Sequence, residues 1–153
     1  MKWYYLVVPL VTIAAATAGS RITEAGMSWY QKINLPSFTP PGAVIGLVWT
    51  VIFILSVVGM ILALNQAKAD RFWLIFGIFF LNMALNFFWS WLFFGQHLLG
   101  AAVWEAAILD LSVIALVILI WPVSRVASIL FLPYAGWVAF ATYLTYSVFN
   151  LNR

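Results

Sequence analysis

The stretch WYQKINLPSFTPPGAVIGLVW, residues Trp29–Trp49, is the only long break in a sequence otherwise made of apolar runs. It is aromatic rather than simply polar, with Tyr30 and Phe38 before a helix start at Pro40-Pro41-Gly42. Connections usually run about 4–6 residues, and longer ones tend to be lids, binding loops or disordered segments. Aromatic side chains argue against disorder because their burial offsets the entropy of ordering. We therefore predict a loop over residues 24–40 that closes over something held by the helices.

The composition identifies the class of protein. Of the 153 residues, 66% are hydrophobic and 7% are charged, whereas a soluble domain has about 25% charged residues. A water-soluble fold of this length could not bury so much apolar surface. We expect one multi-pass integral membrane domain over residues 1–153, with a bacterial cell membrane as the expected location and an organelle membrane left open.

Charge and metal-ligand residues exclude several functions. The net charge of +3 is scattered, so no basic run predicts nucleic-acid binding. There is no cysteine, which excludes disulfides, thiolate metal sites and cysteine nucleophiles. His97 is the only histidine, so a multi-histidine metal site within one chain is impossible. We predict no metal site, no catalytic residue and no required cofactor.

Five apolar segments are long enough to cross a bilayer, which takes about 20 helical residues. They cover approximately residues 3–21, 41–65, 72–94, 98–121 and 124–150. Short connections make consecutive helices antiparallel neighbours. The predicted fold is an all-α integral membrane protein, a bundle of five transmembrane helices with a long aromatic loop between helices 1 and 2.

The first segment has an alternative interpretation. Lys2, an apolar core and Ala16-Thr17-Ala18 also resemble a signal peptide with its cleavage site. We prefer a retained helix because Trp3 and the two tyrosines after it suit an anchor at the membrane interface. Loop charges divide four against three and favour an N-terminus on the inner side only weakly.

Polar side chains inside the spans predict an interior site. Asn82 and Asn86 are four residues apart on the third helix, and Trp89 and Ser90 continue that face. Polar groups facing lipid would go unsatisfied, so the face should point into the bundle. The alternative is that both asparagines only hold helices together. Trp49 and Trp137 also lie within spans, and aromatic walls with a few polar groups are typical of pockets for flat apolar ligands.

The fourth helix carries two carboxylic acids, Glu105 and Asp110, on different faces. An ionised carboxylate in mid-membrane costs about 2.5–3.5 kcal/mol on insertion scales. No lysine or arginine lies at matching depth. Each acid is therefore protonated or hydrogen-bonded, and a proton-linked role for either residue is a minor alternative.

The chain resembles the TspO/MBR family of tryptophan-rich sensory proteins and translocator proteins over nearly its whole length. The resemblance is carried by five pieces of sequence in the family's order: Trp29-Tyr30, Leu35–Gly42, Val48-Trp49, Leu85–Ser90 and Pro133–Leu144. It implies a five-helix bundle, usually dimeric, whose first long loop closes a pocket. It also implies binding of porphyrins such as protoporphyrin IX and haem, and of isoquinoline or benzodiazepine-type ligands.

The resemblance assigns the ligand-binding positions and also shows departures. The pocket residues it implies are Trp29, Tyr30, Pro40, Trp49, Asn86, Trp89, Ser90, Trp137 and Ala141. Glu105 matches a position that is commonly acidic in the family, and Asp110 has no equivalent. Phe38 stands where tryptophan is frequent and Thr145 where asparagine is frequent. The sterol motif is imperfect at Arg153, so sterol binding is not predicted.

Three functions follow as expectations. The leading one is a tetrapyrrole-binding membrane protein that acts as sensor, scavenger or carrier, with membrane lipid and porphyrins as partners. The alternatives are an enzyme that degrades porphyrin with light and oxygen, and a porphyrin or sterol transporter. A homodimer is expected from the resemblance and from Gly77 and Ala84, small residues seven apart on the third helix.

Overall fold

The computed structural model describes residues 2–153, and its described part is a bundle of helices. The helices are α1 (Tyr4–Tyr30), α2 (Gly42–Gln66), α3 (Ala69–Ser90), α4 (Leu99–Ile120) and α5 (Arg125–Leu151), and α3 continues into a π-helical turn at Trp91–Gly95. All five are long and apolar enough to cross a membrane. The predicted all-α fold with five membrane-spanning helices is confirmed.

Helix α1 is longer than the sequence predicted. It continues beyond residue 21 to Tyr30, so the predicted loop 24–40 is wrong at its start, and the connection to α2 is residues 31–41. The prediction ended the helix where the apolar run meets Arg21. The last turns are held by packing instead, because Gly26 lies directly against the π-helical turn, whose Phe94 it contacts.

The other helix ends agree with the predictions within a few residues. Short turns connect α2 to α3, the π-helical turn to α4, and α4 to α5. The hydroxyl of Ser124 accepts a hydrogen bond from the Ala127 backbone N–H at 3.4 Å and caps the start of α5. Pro133 lies inside α5 and Pro9 inside α1, both within continuous helices.

The order of packing leaves α1 and α2 only loosely joined. Helix α1 packs mainly on α3 and the π-helical turn, while α2 packs mainly on α5, and α4 lies between α3 and α5. Two separate apolar cores result. The larger contains Tyr4, Phe79 and Phe131, and the smaller contains Phe93 and Val148 beside the end of α1. The candidate site lies between these cores.

Candidate functional site

A cavity of about 390 Å³ lies inside the bundle, in the half nearer the 31–41 connection. All five helices contribute to its wall. Its volume falls within the range of about 300–1,000 Å³ typical of small-molecule pockets. Of the residues assigned by resemblance, the following line it: Tyr30, Trp49, Asn86, Trp89, Ser90, Trp137 and Ala141. The structure therefore brings together residues from four separate helices.

Aromatic rings form much of the wall. Trp49 stacks on Phe53 with ring centroids 5.4 Å apart. Trp89 stacks on Phe93 at 5.1 Å, and Trp137 packs beside a phenylalanine of its own helix. Each tryptophan is fixed by a neighbouring ring, so the faces turned to the cavity are pre-positioned. Flat apolar molecules suit such walls because aromatic pairs favour offset or edge-on contact.

Several polar atoms of the wall lack a protein partner. The indole Nε1 atoms of Trp89 and Trp137 are buried and donate no hydrogen bond to any described residue. Ser90 is 8% exposed and its hydroxyl lies at the cavity surface. Buried donors without partners are costly, at about 1–3 kcal/mol each. Because both nitrogens have almost no accessible surface, only the Ser90 side chain among these groups is available to a ligand in the cavity.

A buried chain of hydrogen bonds holds Asn86 in place. Its Nδ2 donates to the Tyr134 hydroxyl at 3.3 Å, which donates in turn to Asn82 Oδ1 at 2.9 Å. Asn82 Nδ2 donates to the Ser112 hydroxyl at 2.7 Å. Asn82 does not line the cavity, so it connects helices as the alternative interpretation expected, whereas Asn86 belongs to both the chain and the cavity wall.

Trp29 and Pro40 do not line the cavity, although the resemblance assigned both to the pocket. Trp29 lies on α1 rather than in the loop, and its ring stacks on His97 at 4.0 Å. Its edge meets Phe93, a wall residue, at 5.8 Å. Trp29 thus supports the wall from outside. Pro40 lies in the connection, just before α2 begins.

The connection packs on the end of α5 and is not itself part of the wall. Phe38 stacks on Tyr143 with ring centroids 5.5 Å apart. The Asn34 backbone N–H donates to Asn152 Oδ1 at 2.9 Å, and Asn152 Nδ2 donates to the Asn34 carbonyl at 2.8 Å. None of residues 31–41 lines the cavity. The expectation that Trp29 and Tyr30 reach the site from a loop is therefore corrected, because Tyr30 reaches it from a helix.

The side of the cavity formed by α1 was not predicted from the sequence. Small, hydroxyl and flexible residues of α1 line the cavity at helical spacing: Ala16, Gly19, Ser20, Thr23 and Met27. Their spacing of three or four residues was the available signal. It was not distinctive, because small residues in a membrane helix more often mark helix packing.

Glu105 and Asp110 both lie outside the cavity wall. Glu105 is 5% exposed, and neither carboxyl oxygen has a hydrogen-bond partner among the described residues. Asp110 is half-buried, with Oδ1 also unpartnered there. Their differing burial agrees with the prediction that they occupy different faces of α4. Within residues 2–153 no cluster of three or more histidine or acidic side chains could hold a metal ion.

Comparison with known proteins gives the family. Residues 6–151 match the TspO/MBR family. A tryptophan-rich protein TspO of Archaeoglobus fulgidus is 36% identical over 147 residues, covering 94% of this chain and 93% of the relative. The human translocator protein is 30% identical over 88% of this chain and 82% of its own length. A tryptophan-rich sensory protein of Cereibacter sphaeroides is 27% identical over 99% of this chain and 94% of its own length. The chain is a multi-pass integral membrane protein that belongs to the TspO/MBR family.

Proposed function

We propose that the cavity binds tetrapyrroles, such as protoporphyrin IX and haem, and flat isoquinoline or benzodiazepine-type ligands. The observation that carries this proposal is that Trp49, Trp89 and Trp137 line one cavity together with Asn86. Binding there makes the protein a sensor, scavenger or carrier of such ligands. Relatives carry the names translocator protein and tryptophan-rich sensory protein, which are compatible with these roles.

The polar atoms of the wall support a ligand with heteroatoms over a pure hydrocarbon. Ser90 lines the cavity, so its hydroxyl can donate a hydrogen bond to an acceptor atom on the ligand. Asn86 has its Nδ2 engaged by Tyr134, so its amide oxygen is the atom left to accept from ligand N–H groups. A free-base porphyrin offers both ring N–H donors and nitrogen acceptors.

Replacing Trp49 and Trp137 together by phenylalanine should raise the dissociation constant for protoporphyrin IX by about tenfold or more. Phenylalanine keeps one aromatic ring but removes the second ring of each indole, and the contact area lost at both positions together should exceed the ~1.4 kcal/mol that corresponds to tenfold. Titration of the Soret absorbance in lipid nanodiscs measures this constant. The matched control replaces Trp73 and Trp104, which are 64% and 76% exposed and lie outside the cavity, and should bind normally.

Three outcomes of this titration decide between functions. If porphyrin affinity fell equally in the Trp49/Trp137 variant and in the Trp73/Trp104 control, binding in this cavity would be contradicted. Saturable binding that is stable in light supports the sensor, scavenger or carrier role. Loss of the Soret band only with light, oxygen and intact cavity tryptophans would instead support porphyrin degradation.

We also propose that the protein forms a homodimer through α3. Gly77 and Ala84 are both exposed, and a Cβ added to Gly77 would meet no atom of this chain within 4 Å. Small exposed residues permit close approach of a second membrane helix. Cross-linking in bilayers should give dimers that Gly77→Leu abolishes and Gly136→Leu preserves. Monomers alone from the unmodified protein would contradict the proposal.

A further inference from the structure

The cavity is open on one side only. On α3, α4, α5 and the π-helical turn, every residue of the wall is buried or half-buried. The exposed residues of the wall all belong to α1 and α2: Ser20, Met27, Gly42, Gly46 and Thr50. The opening of the cavity is therefore a cleft between α1 and α2.

The glycines of α2 show that nothing of this chain fills the cleft. A Cβ added to Gly42 or Gly46 would meet no atom within 4 Å. Side chains at these two positions, spaced as in helix-packing motifs, would therefore enter open space. In contrast, a Cβ on Gly26 of α1 would come within 2.6 Å of the Phe94 carbonyl oxygen. Helix α1 thus leans on the end of α3, away from the start of α2.

At the opposite end of the bundle, α1 and α2 are fastened together. Asn65 Oδ1, near the end of α2, accepts hydrogen bonds from the Tyr4 hydroxyl at 2.9 Å and the Tyr5 hydroxyl at 2.8 Å. The Lys2 ammonium donates to the same oxygen at 3.1 Å. The two antiparallel helices therefore meet beside Asn65 and separate towards Gly42. The cleft is a wedge whose wide end leads into the cavity.

The 31–41 connection lies at the end of the bundle that is nearer to the cavity. That segment is tied to α5 by the paired hydrogen bonds between Asn34 and Asn152 and by the stacking of Phe38 on Tyr143. Moving the connection away from α5 would require breaking these contacts. Among the described residues, the side-chain hydrogen bonds from the first helix region to α2 all end on Asn65, and at the wide end the Thr50 hydroxyl bonds to the Gly46 carbonyl of its own helix.

We propose that ligands enter and leave the cavity sideways from the bilayer, through the cleft between α1 and α2. This inference rests on the proposed binding function and adds the route. Both helices are membrane spans, so the cleft faces lipid, where flat apolar compounds concentrate by leaving water. The hydroxyls of Ser20 and Thr50 at the rim offer hydrogen bonds to polar substituents as they pass. Preferred ligands are thus membrane-dissolved amphiphiles.

The chain has no cysteine, so the cleft can be closed by cross-linking a designed pair. Glu24 and Ala43 are exposed and do not line the cavity. Glu24 lies on the same face of α1 as Ser20, four residues earlier, and Ala43 lies on the same face of α2 as Gly46, three residues later. Both residues are about the same distance along their helices from the Tyr4–Asn65 contact. Glu24→Cys with Ala43→Cys, joined by a short bis-maleimide, should bridge the wide end of the wedge.

Cross-linking should slow association and dissociation of protoporphyrin IX by the same factor, about tenfold or more, with an unchanged dissociation constant. A barrier on the route alters both rates equally, whereas damage to the site alters their ratio. Stopped-flow absorbance in nanodiscs measures both rates. The same double variant capped with a mono-maleimide is the matched control. A second control is Leu6→Cys with Ile61→Cys, cross-linked near the α1–α2 contact at Asn65. It should leave the association and dissociation rates unchanged.

Two further outcomes test a route from water past the 31–41 connection. Asn152→Ala removes the paired hydrogen bonds between Asn34 and Asn152 and should leave the association rate of protoporphyrin IX unchanged. A faster rate in Asn152→Ala, or unchanged rates after cross-linking at Glu24 and Ala43, would overturn the lateral route.

A measurement without ligand separates this proposal from the binding function. A nitroxide at Ser20→Cys should collide with membrane-dissolved oxygen and be shielded from a water-soluble nickel chelate in power-saturation spectra. Nickel contact exceeding oxygen contact would show that the cleft faces water and would overturn the route, whether or not porphyrin binds. If the unlabelled protein failed to bind porphyrin while the label at residue 20 was accessible to oxygen, tetrapyrroles would be refuted as ligands and the lipid-facing opening would be kept.

Discussion

Alanine in place of Gly26 is expected to lower the free energy of unfolding by about 1–3 kcal/mol, the usual cost of overpacking a fitted contact. The added Cβ would lie 2.6 Å from the Phe94 carbonyl oxygen and 2.9 Å from the Phe94 Cβ. The first of these is a backbone atom in a π-helical turn, so it cannot move aside as a flexible side chain would. Leucine at this position should prevent α1 from docking on the turn.

Chemical unfolding of purified protein in detergent micelles measures this effect. Gly136→Ala is the matched control, because a Cβ there meets nothing within 4 Å and alanine favours a helix by about 1 kcal/mol over glycine. The Gly136 variant should be as stable as the original protein or slightly more stable. Equal stability of the Gly26 and Gly136 alanine variants would contradict the close contact between α1 and the π-helical turn.

This contact also explains why α1 is longer than its apolar run predicts. The five spans were predictable because apolar length alone distinguishes a membrane helix, whatever its neighbours. The end of α1 was not, because residues 22–30 have no apolar run and stay helical through tertiary packing. Trp29 and Tyr30 were consequently assigned to a loop. The glycine that allows the packing looks, in the sequence, like any other glycine.

The candidate site also has a part that the sequence predicts and a part that it does not. Asn86 was predictable because polar groups within spans are expected to face the bundle interior, whereas Trp49 and Trp137 were assigned through the resemblance to the family. The α1 wall was not predictable, since its small residues have no chemistry that separates a cavity from a packed interface. The cleft depends on how far α1 and α2 diverge. That divergence comes from the packing of each helix on other partners and leaves no local pattern.

Tyr134→Phe is expected to lower the free energy of unfolding by about 1–3 kcal/mol and to weaken porphyrin binding about tenfold. The hydroxyl donates to Asn82 Oδ1 at 2.9 Å and accepts from Asn86 Nδ2 at 3.3 Å. Asn82 is fully buried, so its oxygen would be left without a donor in a place that water does not reach. The Asn86 amide would lose the bond that fixes its orientation at the cavity wall.

Two variants separate these consequences. Tyr143→Phe changes an exposed tyrosine outside the cavity and should alter neither stability nor porphyrin affinity. Ser112→Ala removes the last acceptor of the hydrogen-bond chain, the hydroxyl to which Asn82 Nδ2 donates. This variant should be less stable, while Tyr134 still keeps Asn86 oriented. Chemical unfolding and Soret titration on the same samples give both quantities. Unchanged porphyrin affinity in Tyr134→Phe would mean that Asn86 is held in place by the cavity wall itself. Weaker porphyrin affinity in Ser112→Ala would mean that the whole series of hydrogen bonds, from Ser112 on α4 to the cavity, positions the Asn86 amide.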